Sequence, residues 1–292
     1  MKLLATAFTF IVLSIAVITS CEEANEPNPN PLFRIEFSDG TQITENNISY
    51  YDSSAHLLFL KMDFELDQSF SGFTVFVGND TVFSGVIHLC LWSSMPKTPH
   101  FMTDCFHYGY NILEMGFYGN TNDLRNDPRI INALKSRSLL RNGISCTMDT
   151  IEITALENSS RVACTITLEN QDDIGYYVLD PAKMGDLHFN YFTGGVTLRN
   201  SETKVSYPLR WSVPYVEWDN LSMDHFYLLQ KNSKVTFTFQ SSDYHRMEPG
   251  SYSTWFSFCG PRHNIPEFNL NQPDGRIWVG TILLTLNDVI VK

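Results

Sequence analysis

The chain has 292 residues and a formal net charge of −12, with 13 per cent aromatic and 18 per cent charged residues. The negative charge repels phosphate groups, which argues against nucleic acid and anionic lipid headgroups as partners. The aromatic content argues against disorder and is typical of β-rich domains with sizeable cores, and the length suits two such domains.

The first 20 residues predict a lipoprotein signal peptide. Met1-Lys2 supplies a positive start, and Leu3 to Ile18 is a largely apolar run that is too short to span a bilayer. The small residues of Thr19-Ser20-Cys21 then resemble the lipobox of bacterial lipoprotein precursors. The resemblance implies that residues 1–20 are removed and that Cys21 is acylated. An ordinary secretory signal or an N-terminal anchor helix is the alternative.

Residues 21–31 predict an extended tether. Glu22 to Glu26 is acidic, and Pro27 to Pro31 alternates proline with asparagine, which favours a polyproline-type spacer. Acidic residues directly after the acylated cysteine resemble the surface-export signal of Bacteroidota lipoproteins. This resemblance implies a lipid anchor in the outer membrane and exposure at the cell surface, so that the membrane is contacted through the lipid. A periplasm-facing anchor is the alternative.

Residues 32–145 predict an N-terminal β-rich domain. Short apolar runs alternate with turn residues, and Gly78-Asn79-Asp80 fits the tight turn of a β-hairpin. The predicted strands are Phe33 to Phe37, His56 to Phe64, Phe73 to Val77, Val82 to Leu91 and a strand region within Cys105 to Phe117. We expect these strands to form a β-sandwich.

One α-helix is predicted near 128–141, attached to the edge or end of this first sandwich or else bridging the two domains. Asp127 is a suitable N-cap residue, Pro128 fits the first helical position, and Asn142-Gly143 is a stop signal. The side expected to pack on the sheet carries Ile130, Ile131, Leu134 and Ser138. The basic residues around the helix predict a solvated face or else a docking face for an anionic partner. They are Arg125, Arg129, Lys135, Arg137 and Arg141.

Residues 146–292 predict a second β-sandwich. Its strands are Thr150 to Ala155, Arg161 to Glu169, Tyr176 to Leu179, Gly195 to Arg199, Lys234 to Phe239, Ser251 to Phe258 and Arg276 to Leu286. Val162-x-Cys164-x-Ile166-x-Leu168 and Pro249-Gly250-Ser251-Tyr252 resemble the second and sixth strands of immunoglobulin-like modules. The resemblance implies an immunoglobulin-like sandwich in which Tyr252 closes one end of the core. The tryptophan of antibody-type domains is missing; Tyr176 and Tyr177 stand near its place.

Five cysteines remain once Cys21 is set aside, and an odd number leaves at least one thiol unpaired. They are Cys90, Cys105, Cys146, Cys164 and Cys259. Cys90 and Cys105 could close a loop across a hairpin, and their pairing stays open. Strand parity puts Cys164 and Cys259 on differently facing sides, which argues against a disulfide between them. We expect mostly buried free thiols.

No catalytic signature is present in the sequence. It has no nucleophile elbow, zinc-protease motif, phosphate loop or dinucleotide fingerprint, and its eight histidines lack metal-ligand spacing. Asp172-Asp173 and Asp123 to Asp127 fit acidic turns and helix caps better than calcium loops. The sequence therefore predicts no enzyme, no cofactor and no metal site. A glycosidase-like carboxylate pair assembled from distant positions is the remaining route to a hydrolase.

The strongest candidate for a ligand site is the segment 207–220, in a long connection of the second sandwich. Its aromatic planes can stack on the apolar faces of sugar rings, and its acid and amide groups can bind sugar hydroxyls. The predicted ligand-binding residues are Trp211, Tyr215, Trp218, Asp219 and Asn220. The alternative is that the two tryptophans are buried, for example between the domains.

The sequence as a whole predicts a non-catalytic, lipid-anchored protein of the cell envelope that binds a ligand, with a glycan as the leading hypothesis. The second hypothesis is a structural or protein-interaction role, as an adhesin-like or accessory subunit of an envelope complex. A hydrolase ranks third.

Overall fold

The computed structural model describes residues 32–66, 71–89, 96–103, 109, 111–117, 123–183, 196–208, 222–261 and 269–291. Within these ranges the fold is mainly β, with one α-helix and four hydrogen-bonded sheets, as the composition predicts. No helix in these ranges is long and apolar enough to cross a membrane. The strands surround two hydrophobic clusters, one built from N-terminal residues and one mostly from C-terminal residues.

Nine short strands form the N-terminal sheet. They are β1 Phe33–Phe37, β2 Gln42–Thr44, β3 Ile48–Asp52, β4 Leu57–Leu60, β5 Gly72–Val77, β6 Asp80–Leu89, β7 His100–Thr103, β8 Ile112–Gly116 and β9 Leu140–Arg141. Their order in the sheet is β2-β1-β5-β6-β7-β8-β4-β3-β9, and β6–β7 and β3–β9 are parallel pairs. Phe33, Ile35 and Phe37 are buried in alternation along β1, the pattern of a strand with one face in a core.

The nine-stranded sheet closes over the N-terminal hydrophobic cluster. Ile35 on β1, Leu58 on β4 and Met115 on β8 line the same small cavity, although β1 lies far from β4 and β8 in the sheet order. Side chains from both halves of a sheet meet in this way when the sheet curls over on itself. The N-terminal unit is therefore sandwich-like.

Helix α1 spans Pro128–Ser136 and begins where the sequence predicts. The Asp127 carboxylate accepts a 2.9 Å hydrogen bond from the Arg129 backbone N–H, which satisfies one of the free donors at the helix start. Ile130 and Leu134 are buried in the N-terminal cluster. The apolar side of the helix is thus packed on the sandwich.

The helix ends before the predicted position near residue 141, and Ser138 is exposed rather than packed. Ser138 has a left-handed φ of 57°, which turns the chain out of the helix. The following residues form β9 beside β3, with the Tyr51 N–H donating to the Leu139 carbonyl at 2.7 Å. Pairing with the edge of β3 satisfies these backbone groups, and helical spacing in the sequence does not reveal that edge.

Eleven further strands follow. They are β10 Ile144–Ala155, β11 Ser159–Asn170, β12 Tyr176–Leu179, β13 Val196–Asn200, β14 Ser206–Tyr207, β15 Phe226–Leu229, β16 Lys234–His245, β17 Gly250–Cys259, β18 Asn271–Gln272, β19 Gly275–Ile277 and β20 Thr281–Val291. They form three sheets, with the orders β10-β11-β16, β14-β13-β17-β20 and β15-β12-β19-β18. The expected start of the second domain at residue 146 falls inside β10.

The first two of these sheets pack face to face as a β-sandwich. The facing side chains include Val162, Cys164, Ile166 and Leu168 on β11 and Tyr252, Phe256 and Phe258 on β17. At one end of this core, the Tyr252 hydroxyl donates a 2.8 Å hydrogen bond to the Glu248 carbonyl. A tyrosine bonded back to the preceding corner in this way is a feature of immunoglobulin-like sandwiches.

The last predicted strand is divided in the structure. Instead of one strand from Arg276 to Leu286, β19 ends at Ile277 and β20 begins at Thr281. Gly280, at a φ of 121°, turns the chain between them. The intervening Trp278 and Val279 are buried, so this apolar segment enters the core instead of continuing a strand.

The second hydrophobic cluster also contains residues from the first sheet. Tyr50, Ala55, Leu57, Phe59 and Ile112 lie in it together with the core of the C-terminal sandwich. The β3–β4 hairpin therefore contributes to both units, and its turn, residues 53–56, lies at their boundary. We call this boundary the junction.

Candidate functional site

The five predicted ligand-binding residues, Trp211, Tyr215, Trp218, Asp219 and Asn220, lie outside the described residues, as does Cys21. The structure does describe the first residues of segment 207–220 and the chain that follows it. The segment leaves β14 at Tyr207, and the chain is described again from Ser222, just before β15. These two strands belong to different sheets.

The base of this segment packs on the tyrosine corner. The Tyr207 ring lies edge-on to the Tyr252 ring, with 5.8 Å between the ring centroids. Burial, together with the neighbouring Tyr252 hydroxyl, raises the pKa of Tyr207. The predicted ligand segment therefore starts from a position that the C-terminal core holds in place.

Among the described residues, polar side chains concentrate at the junction. On the N-terminal side, Asp52 Oδ1 accepts hydrogen bonds from the Ser54 N–H at 2.8 Å and from Ser54 Oγ at 2.6 Å. Ser54 Oγ in turn accepts a 3.2 Å hydrogen bond from Trp278 Nε1. The turn of the β3–β4 hairpin is thus bonded directly to the C-terminal unit.

On the C-terminal side, Asp172 holds the segment that links the two units. Its carboxylate accepts hydrogen bonds from the Asn142 N–H and the Gly143 N–H, each at 2.9 Å. It also accepts a 2.7 Å hydrogen bond from the Tyr176 hydroxyl. The Asp172 N–H donates to Asn170 Oδ1 at 2.9 Å, which also holds the backbone of Asp172 in place.

Gly143 lies between the two carboxyl groups. It has a left-handed φ of 69°, and a Cβ at this position would overlap both Ser54 Oγ and Asp52 Oδ1. Asp52 and Asp172 are only 3% and 7% exposed. Burial raises the pKa of Asp52 to about 6; the hydrogen bonds from Ser54 oppose this rise and the Asp172 charge adds to it.

Two arginines form the rim of the junction, and each has a partner other than the buried carboxyls. The Arg276 guanidinium lies over the Tyr50 ring at 4.0 Å from its centroid. Arg141 NH1 bonds to Asp173 Oδ1 at 2.9 Å. Chemically, the junction is closed by its own hydrogen bonds, and Asp52, with its raised pKa, can take up a proton.

A second polar cluster lies beside helix α1. The Tyr51 hydroxyl and His56 Nδ1 are 2.7 Å apart in a hydrogen bond, and His56 Nε2 is 3.6 Å from Asp123 Oδ2. Burial lowers the pKa of His56 to about 4, with the Arg125 charge adding to this effect, whereas burial raises the pKa of Tyr51. The tyrosine therefore stays protonated, and the histidine neutral, at neutral pH.

The basic residues around helix α1 are largely neutralised by acids. Arg125, Arg129, Arg137 and Arg141 lie within 2.7 to 3.1 Å of Asp123, Asp127, Glu45 and Asp173, respectively. The same pairing occupies Asp123 and Asp127, the acidic residues of the calcium-loop alternative. Ion pairs and caps therefore account for this charged region.

Cysteine and histidine side chains in the described ranges do not form a larger cluster. No group of three or more His, Cys, Asp and Glu side chains that could hold a metal is found among these residues. Cys146 and Cys164 are buried free thiols, and burial raises the pKa of each to about 12. Cys259 is also buried and donates to the Ser257 carbonyl, whereas Cys90 and Cys105 lie outside the described residues.

The junction and the His56 cluster were both missed by the sequence analysis. Asp52, Ser54, Asp172 and Trp278 come from distant parts of the chain and match no motif. Gly143 was interpreted from the sequence as a helix stop signal. In the structure, its lack of a side chain leaves room for the two carboxyl groups on either side of it. Acid side chains in turns were the available signal, and they are too common to select these positions.

Comparison with known proteins adds no functional assignment: no family model, no curated protein and no solved structure matches this chain. The fold defines the class, a mainly β protein with sandwich-like units.

Proposed function

We propose that this chain is a non-catalytic ligand-binding lipoprotein of the cell envelope, anchored in the outer membrane through acylated Cys21 and binding a glycan at the cell surface. The observation that carries the proposal is the placement of the described residues that flank the ligand-binding residues, Tyr207 on one side and β15 on the other. Segment 207–220 starts on the sandwich at Tyr207, packed on Tyr252, and returns at β15 in another sheet. Fixing the residues on either side of a binding segment reduces the entropy that the segment loses on binding.

The composition of this segment selects a sugar as its ligand. Trp211, Tyr215 and Trp218 can offer flat apolar surfaces, and Asp219 and Asn220 can bind hydroxyl groups. The net charge of −12 disfavours polyanionic ligands. A neutral glycan therefore fits both the segment and the chain as a whole.

The test is a binding screen of the full-length chain in detergent against polysaccharides and a glycan array. The Trp211→Ala/Trp218→Ala double variant should lose roughly tenfold to a hundredfold in affinity while its circular dichroism stays unchanged. Trp255→Ala is the matched control, because Trp255 is a half-buried tryptophan of β17 outside the segment. Unchanged binding in a folded double variant would move the site elsewhere, and binding to no glycan would contradict the glycan proposal.

The anchor has its own test. Metabolic labelling with a fatty acid should modify the wild-type chain and leave Cys21→Ser unlabelled. Externally added protease should cleave the wild-type chain on intact cells if it lies at the surface. Protection of the chain until the outer membrane is opened would favour the periplasm-facing alternative.

A protein-interaction role is the second candidate, and two observations favour it. In the part of the chain that the structure describes, β16 is the edge strand of its sheet over Lys234–His245, and such edges can pair with another chain. Leu283 and Ile290 on β20 are each 57% exposed. Pull-down from detergent-solubilised envelope should then recover one fixed partner, and Leu283→Asp should release it if β20 is the contact.

A further inference from the structure

The junction contains two acidic groups from different units. Asp52 belongs to the β3–β4 hairpin of the first sheet, and Asp172 follows β11 of the C-terminal sandwich. They lie on either side of Gly143, and both are almost completely buried. Like charges held close together in a medium of low dielectric constant disfavour the state in which both are ionised.

Both acids accept hydrogen bonds inside the junction, and burial is the main cause of the raised pKa of Asp52. Asp172 accepts from two backbone N–H groups and from the Tyr176 hydroxyl. Asp52 Oδ1 accepts from the Ser54 N–H and the Ser54 hydroxyl, and the Asp52 carboxyl also accepts from the Ala55 backbone N–H. Asp52 is only 3% exposed, so a proton on its carboxyl removes the cost of burying a charge.

We propose that the junction is a proton-dependent clasp, in which Asp52 takes up one proton from solvent when the two units close on each other around Gly143. The protonated Asp52 then lies beside Asp172 without repulsion between two charges. When the junction opens and both acids reach water, Asp52 releases the proton. Lower pH therefore tightens the contact between the two units.

The charged and titratable groups that face Asp52 are consistent with a contact that tightens at lower pH. Tyr50, Tyr51 and Tyr176 surround it, and burial raises the pKa of each phenol, so they remain neutral. The two cations at the rim, Arg141 and Arg276, contact Asp173 and Tyr50. Asp172 is thus the main charge that Asp52 meets in the closed junction.

The sign of the pH effect follows from the pKa of Asp52, which is raised from 3.8 to about 6. The folded chain binds the proton more tightly than the unfolded chain between these values, so stability rises as the pH falls through 6. From pH 7 to pH 5, this group alone should raise the folding equilibrium constant roughly tenfold. The nearby His56 titrates in the opposite direction, so only a difference between variants isolates Asp52.

The experiment is urea denaturation of the full-length chain between pH 5 and pH 8, for the wild type and Asp52→Asn. Asparagine imitates the protonated acid and keeps the oxygen that accepts from Ser54. We expect the folding equilibrium constant of Asp52→Asn, divided by that of the wild type, to fall roughly tenfold as the pH falls from 7 to 5. Asp173→Asn is the matched control, since Asp173 is an exposed acid at the same junction and its loss should leave the pH dependence unchanged.

A difference between Asp52→Asn and the wild type that stays constant with pH would overturn the proposal. If the variant fails to fold, the Asp52 carboxyl of the wild-type chain can be titrated directly by carbon NMR. A midpoint well above the ordinary value for an aspartate supports the clasp, and a midpoint near 3.8 overturns it. Both readouts are independent of any ligand and of the function proposed above.

Discussion

Trp278 Nε1 donates a 3.2 Å hydrogen bond to Ser54 Oγ across a sequence separation of 224 residues. The indole is 1% exposed and packs on Phe258, with 5.8 Å between the ring centroids. The Ser54 hydroxyl in turn donates a hydrogen bond to Asp52 Oδ1. One hydroxyl therefore couples the core of the C-terminal sandwich to the hairpin of the first sheet.

We expect Ser54→Ala to lower the free energy of unfolding by about 1–3 kcal/mol, because it leaves the buried indole N–H without its acceptor. Trp278→Phe should cost about 2–4 kcal/mol, since it also removes part of a large buried ring. Urea denaturation of both single variants and the double variant measures the coupling. The loss in the double variant should be about 1 kcal/mol smaller than the sum of the losses in the two single variants. Strict additivity would show that the hydrogen bond contributes nothing.

Gly143→Ala should destabilise the chain by about 2–4 kcal/mol. Its Cβ would overlap Ser54 Oγ and Asp52 Oδ1, and alanine would also be strained at a φ of 69°. Gly78→Ala is the matched control: Gly78 has a similar φ of 61° but no atom near the added Cβ, so it should cost only about 1 kcal/mol. Equal losses in thermal denaturation would mean that backbone strain alone matters and that the junction tolerates the methyl group.

Much of the fold could be predicted from the sequence where a single strand or helix carries its own signal. Val162, Cys164, Ile166 and Leu168 alternate strictly and form one buried face of β11. Asp127-Pro128 marks the start of α1 because capping depends only on neighbouring residues. Periodicity and capping are local properties, so sequence reasoning recovers them.

Features that depend on distant partners were not predictable. Strand β9 exists only because the edge of β3 is available to it, and the separation of β19 from β20 depends on Trp278 entering the core. The junction brings together Asp52 and Asp172, which are 120 positions apart in the sequence, and the absence of a side chain on Gly143 leaves room for both. Spacing along the chain contains none of this information. The predicted glycan site stays a prediction, because its residues lie outside the described ranges.

Tyr252→Phe should lower the free energy of unfolding by about 1–2 kcal/mol. The change removes only the hydroxyl that donates to the Glu248 carbonyl at 2.8 Å and leaves the buried ring in place. Tyr227→Phe is a suitable control, because Tyr227 is 38% exposed and water can replace its contacts. Equal stability of Tyr252→Phe and the wild type in urea would show that the corner bond is not stabilising.

His56 should make the chain less stable as the pH falls from 7 towards 4. Its folded pKa is lowered from 6.5 to about 4, chiefly by burial, so the unfolded chain binds the proton more tightly in this interval. The loss should approach about 3 kcal/mol at pH 4. His56→Asn removes the titration, and asparagine tolerates the left-handed φ of 53° at this turn. Urea denaturation should therefore show a wild-type loss, relative to His56→Asn, that grows as the pH decreases. A difference that stays constant with pH would mean that His56 is protonated as easily in the folded chain as in the unfolded one.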